Sequence, residues 1–587
     1  MLSVAKLTPG QESYYERSVA AGLDDYYAGR GESPGVWTGR GAAALGLEGV
    51  VREGQLGLLI RGLHPGTEEE LRRHPKARTI TIERIDPASG ERRTERKKLA
   101  PVAGYDLVFS PPKSVSLLHA LGDEETRRAV NEAHTSAWQA ALAYLEDEAC
   151  VTRRGRNGVR REHAPGFVAA AYQHRTSRAQ DPHLHTHVIV ANMASSPSDG
   201  KWRALDGEPI LKSYRLAAGY LYQAHLRAEL RRSLGVEWRR PVKGMAELEG
   251  VPREAVVEFS RRRVQVVEHL RDHARSGFYS AQLAAVETRE RKEHVDLDRL
   301  REDWRARAAE HGLGQREIRA ALNRGSHRDV SSDQLLAIAR RMIGATGLTE
   351  RRTAFSAPEL VMAWAEAHIQ GGTAQRIRRV CERFVGFDGV EQVGDEATPG
   401  RPAHYSTAEL IDVERSALAL VERGLDAGAP VASVEIVDGV LGDAGERTTL
   451  SSDQARMVHA VAERPDRVVC VVGLAGAGKT TATAAVARAF ATAGVPVVGA
   501  APSGVAAEKL QDETGVPSTT LHRLLCRGIP DRCLLIIDEA GMAETRILAR
   551  VLEQVERADG KALLIGDPKQ LPAVGAGGLF AGIVERH

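Results

Sequence analysis

Three of the four histidines within residues 174–187 have the spacing that best suits chemistry in this chain. His185 and His187 are separated by one residue and lead into the apolar run 188–192. Because the side chains of a strand alternate between its two faces, both imidazoles point the same way, and His183 lies one step further out on that face. His174, on a preceding strand, could complete a set of three nitrogen ligands. Such a set, with open positions, can hold a divalent cation that polarises a phosphate oxygen.

A glycine-rich loop near the other end of the chain is suited to binding phosphates. Residues 473–480 fit the pattern G-x-x-x-x-G-K-[ST], after the apolar run 468–472 and before the helix-like run 482–491. The glycines allow backbone N–H groups to surround the phosphates, and the helix N-terminus adds positive potential. Lys479 would reach the β- and γ-phosphates, and Thr480 would bind Mg²⁺. The predicted loop residues are Gly473, Gly476, Gly478, Lys479, Thr480 and Thr481.

Two further apolar runs end in polar side chains. The run 534–537 is followed by Asp538, which suits a water of Mg²⁺, and by Glu539, which suits a base that activates water. The run 563–566 leads to Gln570. Three strand ends of this kind, in this order, predict a nucleoside triphosphatase that uses Mg²⁺.

Four of the twelve tyrosines fall in the first thirty residues, Tyr14 beside Tyr15 and Tyr26 beside Tyr27. Core packing at a helix start is one interpretation, since tyrosine is an amphipathic filler. Beside a three-histidine metal site, however, a phenolate can attack a phosphodiester and form a covalent phosphotyrosine. Gly22 lies between the two pairs and is expected to interrupt a helix, so the two tyrosine pairs would not share one helix face.

Asp106 shares a predicted strand face with Val108 and Ser110. Its carboxylate could accept a hydrogen bond from the far nitrogen of a ligand histidine and so fix the tautomer of that ring. It could instead accept the proton of a tyrosine. A surface-strand aspartate without a chemical role is the third interpretation.

Residues 151–161 place five arginines around an Asn-Gly turn. The pattern predicts a hairpin with a basic tip. Contact with DNA phosphates and a merely solvated turn are both open interpretations. The three arginines next to the turn that could contact DNA are Arg153, Arg154 and Arg156.

Composition narrows the class of protein. The formal net charge is +2, so any surface that binds nucleic acid must be local. The five cysteines form no C-x-x-C pair, which favours a reducing compartment and argues against a zinc ribbon or a disulfide frame. The first residues lack the apolar core of a signal peptide, and the apolar runs are too short to span a bilayer. We expect a cytoplasmic protein without membrane insertion.

The length of 587 residues suggests several domains, and the alternation of elements predicts an α/β fold. We expect a first domain over residues 1–310, a mostly helical connecting region over 311–445, and a phosphate-loop domain with a parallel sheet over 446–587. Few residues follow Gln570, and a second α/β domain that would close on the nucleotide is not found. We therefore expect a fragment of a longer chain, in which autonomous ATP hydrolysis is in doubt.

These motifs together resemble the MobF class of conjugative relaxase–helicases, the TrwC/TraI-type family. The resemblance implies an N-terminal relaxase domain with a central antiparallel sheet and an HUH-type three-histidine metal site. The C-terminal part resembles superfamily 1 helicases of the RecD-like group and corresponds to their first RecA-like domain only. The segments that carry the relaxase resemblance are residues 14–15, 24–27, 37–42, 104–116, 174–178, 182–192, 201–206 and 221–230.

The family reaction implied by this resemblance is the nicking of one DNA strand at a transfer origin. A 5′-phosphotyrosine intermediate forms, the ends are later rejoined, and the helicase unwinds the duplex. The resemblance assigns Tyr14 as principal nucleophile and Tyr26 to the second step, with Tyr15 and Tyr27 in support. The remaining implied roles are metal binding for His174, His185 and His187, orientation of a ligand or base action for Asp106, adenine recognition for Gln454, γ-phosphate coupling for Gln570, and DNA contact for Lys113 and Arg178.

The implied partners are single-stranded DNA at a nick site, accessory transfer proteins and a coupling protein, and the implied cofactors are Mg²⁺ or Mn²⁺ and ATP with Mg²⁺. Three alternatives stay open. A rolling-circle replication initiator would use the same chemistry at a replication origin. A DNA- or ATP-binding fragment would bind without nicking. A metallohydrolase that uses metal-bound water would release free 5′-phosphate.

Overall fold

The structure is a computed structural model. It describes residues 1–9, 34–73, 78–85, 92–155, 158–177, 179–261, 297–325, 329–445, 450–473, 479–568, 573 and 575–586. The chain forms two compact units. The first unit comprises Met1–Leu335, Ser356–Phe384 and Gly394–Ala403, and the second comprises Leu336–Phe355, Val385–Val393 and His404–His587. The three-part division expected from the sequence stays a prediction, and residues 311–445 contribute to both units.

Strands and helices alternate irregularly over the first 385 residues. The strands are β1 Leu2–Leu7, β2 Val36–Thr38, β3 Arg78–Ile85, β4 Arg92–Leu99, β5 Gly104–Phe109, β6 Val151–Arg154, β7 Arg160–His163, β8 Ala169–Thr176, β9 Pro182–Ala191, β10 Ala194–Ser195, β11 Trp202–Arg203 and β12 Phe355–Ser356. The helices are α1 Arg40–Ala44, α2 Gln55–Arg61, α3 Lys113–Leu121, α4 Glu124–Ala149, α5 Arg215–Leu234, α6 Arg253–Glu258, α7 Leu297–Glu310, α8 Gln315–Ala321, α9 Ser332–Ile343, α10 Ala357–Ala367 and α11 Ala374–Val385.

The central sheet of the first unit has the strand order β1-β5-β9-β8-β2, and its strand pairs are antiparallel. The middle strand, β9, alternates between buried and half-buried residues over its first six positions and is fully buried over its last four. This pattern matches its sequence, in which alternating histidines give way to an apolar run. Ile189 and Ala191, on the histidine face, belong to an apolar core that also includes Leu56 and Leu59 of α2.

Part of the predicted connecting region packs into the first unit through a buried arginine. Arg227 of α5 is 1% exposed. Its Nη1 donates to the carbonyl of Gly244 at 3.0 Å, and its Nη2 donates to the carbonyls of Ala365 at 2.8 Å and His368 at 3.3 Å. The last two carbonyls lie at the C-terminal end of α10, where a helix leaves carbonyl groups without partners of its own. Arg227 thus joins three separate segments of the chain.

The second unit contains a parallel sheet with the order β15-β19-β18-β16-β17. Leu534 and Ile536 of β18 face one apolar core, and Leu535 and Ile537 face another, as expected for a strand covered on both sides. The strands from residue 390 onward are β13 Val390–Val393, β14 His404–Thr407, β15 Val468–Val472, β16 Val497–Ala501, β17 Ser518–Thr520, β18 Leu534–Ile537 and β19 Lys561–Gly566. The helices are α12 Ala408–Arg423, α13 Val434–Gly445, α14 Ser452–Glu463, α15 Lys479–Thr492, α16 Gly504–Thr514, α17 Leu521–Arg527, α18 Thr545–Arg557 and α19 Leu579–Arg586.

The α/β class expected from the sequence is confirmed, with an antiparallel sheet in the first unit and a parallel sheet in the second. Within the described part of the chain, none of the helices has the length and apolar character that crossing a bilayer requires.

Replacing Arg227 with methionine is expected to lower the free energy of unfolding of the first unit by about 2–4 kcal/mol, because three carbonyls lose their donor. Arg232→Met, on the same helix, is the control. Arg232 pairs at the surface with Glu229 and should contribute less than about 1 kcal/mol. The free energy of unfolding of each variant is measured by hydrogen exchange in α5 and α10 under increasing urea. Equal losses of unfolding free energy in Arg227→Met and Arg232→Met would contradict the role given to Arg227.

Candidate functional site

The three predicted metal ligands come together on one face of the central sheet. His174 of β8 lies directly opposite His185 in the antiparallel register. The ring centroids of His174 and His185 are 5.2 Å apart, those of His174 and His187 are 5.3 Å apart, and those of His185 and His187 are 5.2 Å apart. His183 stacks on His185 from the outer side, with a centroid distance of 4.5 Å.

Hydrogen bonds fix which nitrogen of two rings is available as a ligand. Nδ1 of His185 lies 2.9 Å from the carbonyl oxygen of His183, and Nδ1 of His187 lies 2.9 and 3.0 Å from the two carboxylate oxygens of Asp106. Carbonyl and carboxylate oxygens only accept, so Nδ1 carries the proton in both rings. The lone pair is then on Nε2, the arrangement seen for metal-ligating histidines whose other nitrogen is held by an acceptor.

Burial favours the neutral form of two of these imidazoles, and the neutral form is the one that binds metals. Burial, followed by the positive charge of Lys113, lowers the pKa of His183 to about 3. Burial and then repulsion from His183 and His174 lower the pKa of His185 well below its ordinary value.

The donor set fits a divalent cation chemically, because three imidazoles, two of them oriented by hydrogen bonds, suit several divalent metals. In the described ranges, however, no group of three or more His, Cys, Asp or Glu side chains has the arrangement of ligands around a metal ion. The HUH-type metal site therefore stays a prediction.

Several predicted site residues lie outside the described residues, and their positions are not given. These are the tyrosines Tyr14, Tyr15, Tyr26 and Tyr27, the arginines Arg156 and Arg178, and, in the second unit, Gly476, Gly478 and Gln570.

The predicted arginine hairpin exists as β6 and β7, but much of its charge is offset. Arg153 makes a bidentate pair with Asp206, with N–O distances of 2.7 and 2.9 Å, and Nε of Arg154 lies 3.6 Å from Glu162. Lys113 donates from Nζ to the carbonyl of Pro182 at 2.7 Å, and burial lowers the pKa of this lysine to about 8. DNA contact by these three residues stays a prediction.

A basic β-ribbon is a candidate nucleic-acid surface that no sequence motif predicted. β3 and β4 pair only with each other among the described strands. They contain seven Lys or Arg residues and two Glu residues, and Arg84 lies opposite Arg93. A two-stranded ribbon fits the major groove of duplex DNA, whose phosphates would offset this charge. The density of basic residues in 92–98 was the available signal.

In the second unit, the described residues that are predicted to bind the nucleotide lie at the carboxyl edge of the parallel sheet. Gly473 follows β15, and Asp538 and Glu539 follow β18. Lys479 is the first residue of α15, and its Nζ lies 2.8 Å from the carbonyl of Gly473. Thr480 and Thr481 follow in the first turn of the same helix.

Two of these residues also have structural roles. Glu539 adopts a left-handed backbone conformation, with a φ of +52°, and its N–H donates to Asp538 at 2.9 Å. Gln454 forms a capping box at the start of α14, where its Oε1 accepts from the N–H of Ser451 at 2.8 Å.

Comparison with known proteins places these features in families. The TrwC relaxase family matches residues 9–311, and the AAA domain family matches residues 449–587. The multifunctional conjugation protein TraI of Escherichia coli is 32% identical over 329 residues, which cover 54% of this chain and 16% of TraI. The conjugal transfer protein TraA of Agrobacterium fabrum is 35% identical over 191 residues, which cover 32% of this chain and 17% of TraA.

Further similarities concern each part of the chain separately. The ATP-dependent RecD2 DNA helicase of Deinococcus radiodurans is 37% identical over 142 residues, which cover 22% of this chain and 19% of the helicase. A metal-bound structure of the conjugative relaxase TrwC with oriT DNA is 32% identical, covers 53% of this chain and 99% of its own, and has a TM-score of 0.43. The chain spans less than a fifth of the length of the conjugation proteins above. The family match covers more than half of the chain, which therefore belongs to the TrwC relaxase family.

Proposed function

We propose that this chain is a conjugative DNA relaxase that nicks one strand at a transfer origin by metal-assisted tyrosine transesterification. The observation that carries the proposal is the set of three imidazoles on β8 and β9, with Asp106 holding Nδ1 of His187 at 2.9 Å. The conjugative roles named for TraI and TraA support it. The first domain would extend over residues 1–310.

His174, His185 and His187 would hold a divalent cation, for which Mg²⁺ and Mn²⁺ are the proposed metals. When bound, such a cation supplies stabilisation of negative charge on the non-bridging oxygens of a phosphodiester. Asp106 orients the ring of His187. Because both of its oxygens approach the same Nδ1, at 2.9 and 3.0 Å, the orienting role is better supported than the role of base.

Tyr14 is the proposed nucleophile of the nicking step. Its phenolic oxygen forms a bond to phosphorus, and the bond from phosphorus to the 3′ oxygen breaks. The phenolic proton leaves to solvent or a base, and the departing 3′ oxygen takes up a proton. One phosphodiester is exchanged for another, so the step can be reversed to rejoin the strand. Tyr26 would act in a second transfer, with Tyr15 and Tyr27 in support.

The proposed partners follow from the same resemblance. Single-stranded DNA at a nick site would be the substrate, and accessory transfer proteins and a coupling protein would assist. The basic ribbon of β3 and β4 supports contact with adjoining duplex DNA. The arginines Arg153 and Arg154 are weaker candidates, because acidic side chains already pair with them.

The second unit is proposed to bind ATP with Mg²⁺ as the first core domain of a helicase module. Lys479 and Thr480 would contact the phosphates and Mg²⁺, while Asp538 and Glu539 would face them from the neighbouring part of the sheet edge. Similarity to the RecD2 helicase supports this assignment. ATP hydrolysis by this chain alone is left to experiment.

The nicking proposal is tested with labelled single-stranded oligonucleotides and Mg²⁺ or Mn²⁺, resolved on a denaturing gel. A covalent protein–DNA band is expected, and Tyr14→Phe and His185→Ala should both abolish it. Tyr405→Phe, in the second unit, is the control and should retain the band. Cleavage that yields free 5′-phosphate without a covalent band would replace the proposal with a metallohydrolase.

Asp106→Ala is expected to raise the dissociation constant for Mn²⁺ by about 10- to 100-fold, because Nδ1 of His187 loses the acceptor that fixes its tautomer. Isothermal titration calorimetry measures this constant. Asp199→Asn alters a surface carboxylate that pairs with Arg203, and it should leave Mn²⁺ affinity unchanged. Identical affinities in the two variants would contradict the orienting role.

Lys479→Ala is expected to abolish detectable binding of a fluorescent ATP analogue, because the cation that reaches the β- and γ-phosphates is lost. The covalent DNA band should be unaffected. Lys509→Ala, on the exposed side of α16, is the matched lysine control. Unchanged nucleotide affinity in Lys479→Ala would remove the ATP assignment.

A further inference from the structure

One helix makes two polar contacts with the back of the strands that carry the histidines. Asn131 of α4 accepts from Nε2 of Gln173 on β8 at 2.9 Å. His134, one turn further along α4, has its Nε2 2.7 Å from Oγ1 of Thr186 on β9. Gln173 and Thr186 are direct cross-strand neighbours in the register of β8 and β9. A single helix therefore holds adjacent points on two strands.

These two points lie directly behind the histidine set. Gln173 precedes His174 in β8, and Thr186 separates His185 from His187 in β9. Because strand side chains alternate, Gln173 and Thr186 project from the face opposite the imidazoles. Any shift of either residue along its strand direction would displace the adjoining histidines by the same amount.

The contact at Thr186 is completely buried and its polar groups are paired. Thr186 is 1% exposed, and His134 is 0% exposed. Nδ1 of His134 lies 2.8 Å from the hydroxyl of Tyr222 on α5, so both ring nitrogens have partners. Burial lowers the pKa of His134 to about 3 and raises the pKa of Tyr222 well above its ordinary value, so the chain of three groups is neutral.

The regular pairing of β8 and β9 is interrupted just beyond this point. Their register shifts between His174 and Thr176, immediately after the residue that faces His185. A strand that slips by one residue presents its other face. Buried polar groups resist such a shift, because a displaced hydroxyl or ring nitrogen would be left without a partner. A valine or leucine between the two histidines would fill the same space without this directional constraint.

We propose that Asn131 and His134 are positioning residues of the three-histidine site, which they act on through Gln173 and Thr186. By tying β8 and β9 to one helix, they fix the place of His174 relative to His185 and His187. The inference rests on the proposed function for its chemical meaning, since it concerns the site where a metal would bind. The geometry that it describes exists in the metal-free chain and can be measured there.

The first experiment measures hydrogen exchange in the metal-free full chain. Thr186→Val removes the hydroxyl and keeps the shape, so exchange over residues 169–191 should become faster. Thr186→Ser keeps the hydroxyl and should restore slow exchange. Ser136→Ala is the matched control, because Ser136 lies on the same helix and bonds to Nε2 of His225 at 3.0 Å, on α5 and not on the sheet. It should leave exchange in β8 and β9 unchanged.

The second experiment measures Co²⁺ binding through its absorption spectrum, at a temperature at which circular dichroism shows every variant folded. Thr186→Val should raise the dissociation constant about 10-fold, in the range found for residues that orient metal ligands. Thr186→Ser and Ser136→Ala should stay close to the unchanged chain. Asn131→Ala is expected to weaken Co²⁺ binding in the same direction as Thr186→Val.

The two experiments separate this inference from the proposed function. If the unchanged chain binds no Co²⁺ but Thr186→Val alone speeds exchange in β8 and β9, the metal site fails and the positioning role stands. If exchange in Thr186→Val matches that in Ser136→Ala, the positioning role is overturned, whatever the metal does. Where the unchanged chain binds Co²⁺, equal Co²⁺ affinity in Thr186→Val and Ser136→Ala would also overturn it.

Discussion

The register of β8, β9 and β5 is the constraint on which the histidine site depends. β9 lies between the other two strands, so each neighbour can place a side chain beside its histidines. From β8, His174 stands directly opposite His185, and from β5, Asp106 reaches His187 diagonally, since His187 itself faces Val108. A shift of one residue in either pairing would send His174 or Asp106 to the other face of the sheet. The histidine site therefore forms only when the strands pair in this register.

The two faces of β9 carry different physical demands. On the front face, burial lowers the pKa of His183 and of His185, which limits the repulsion between these two rings and favours their uncharged form. On the back face, Thr186 is buried, and its buried hydroxyl requires a hydrogen-bond partner. His134 supplies it at 2.7 Å. The front face of β9 therefore presents oriented imidazoles, and its back face contains a buried hydroxyl that has a hydrogen-bond partner.

The second unit collects its chemistry by a different rule. In a parallel sheet the carboxyl ends of all strands lie at one edge, so Gly473 and Asp538 lie at the same edge although they are far apart in sequence. No cross-strand register of side chains is needed, because the groups lie in the loops beyond the strands. The first unit relies on pairing within an antiparallel sheet, and the second relies on the shared polarity of its strands.

Local periodicity alone determined which face His185 and His187 share and where the phosphate loop meets its helix, because alternation along a strand and the strand–loop–helix order are properties of neighbouring residues. Contacts between distant segments decided the rest. The pairing of His187 with Asp106 spans 81 positions, and that of Arg153 with Asp206 spans 53. The docking of residues 356–384 through Arg227 and the contact of His134 with Thr186 likewise depend on which surfaces the fold brings together. A sequence lists the donors and acceptors, but burial, which makes each buried group require one particular partner, exists only once the chain has folded.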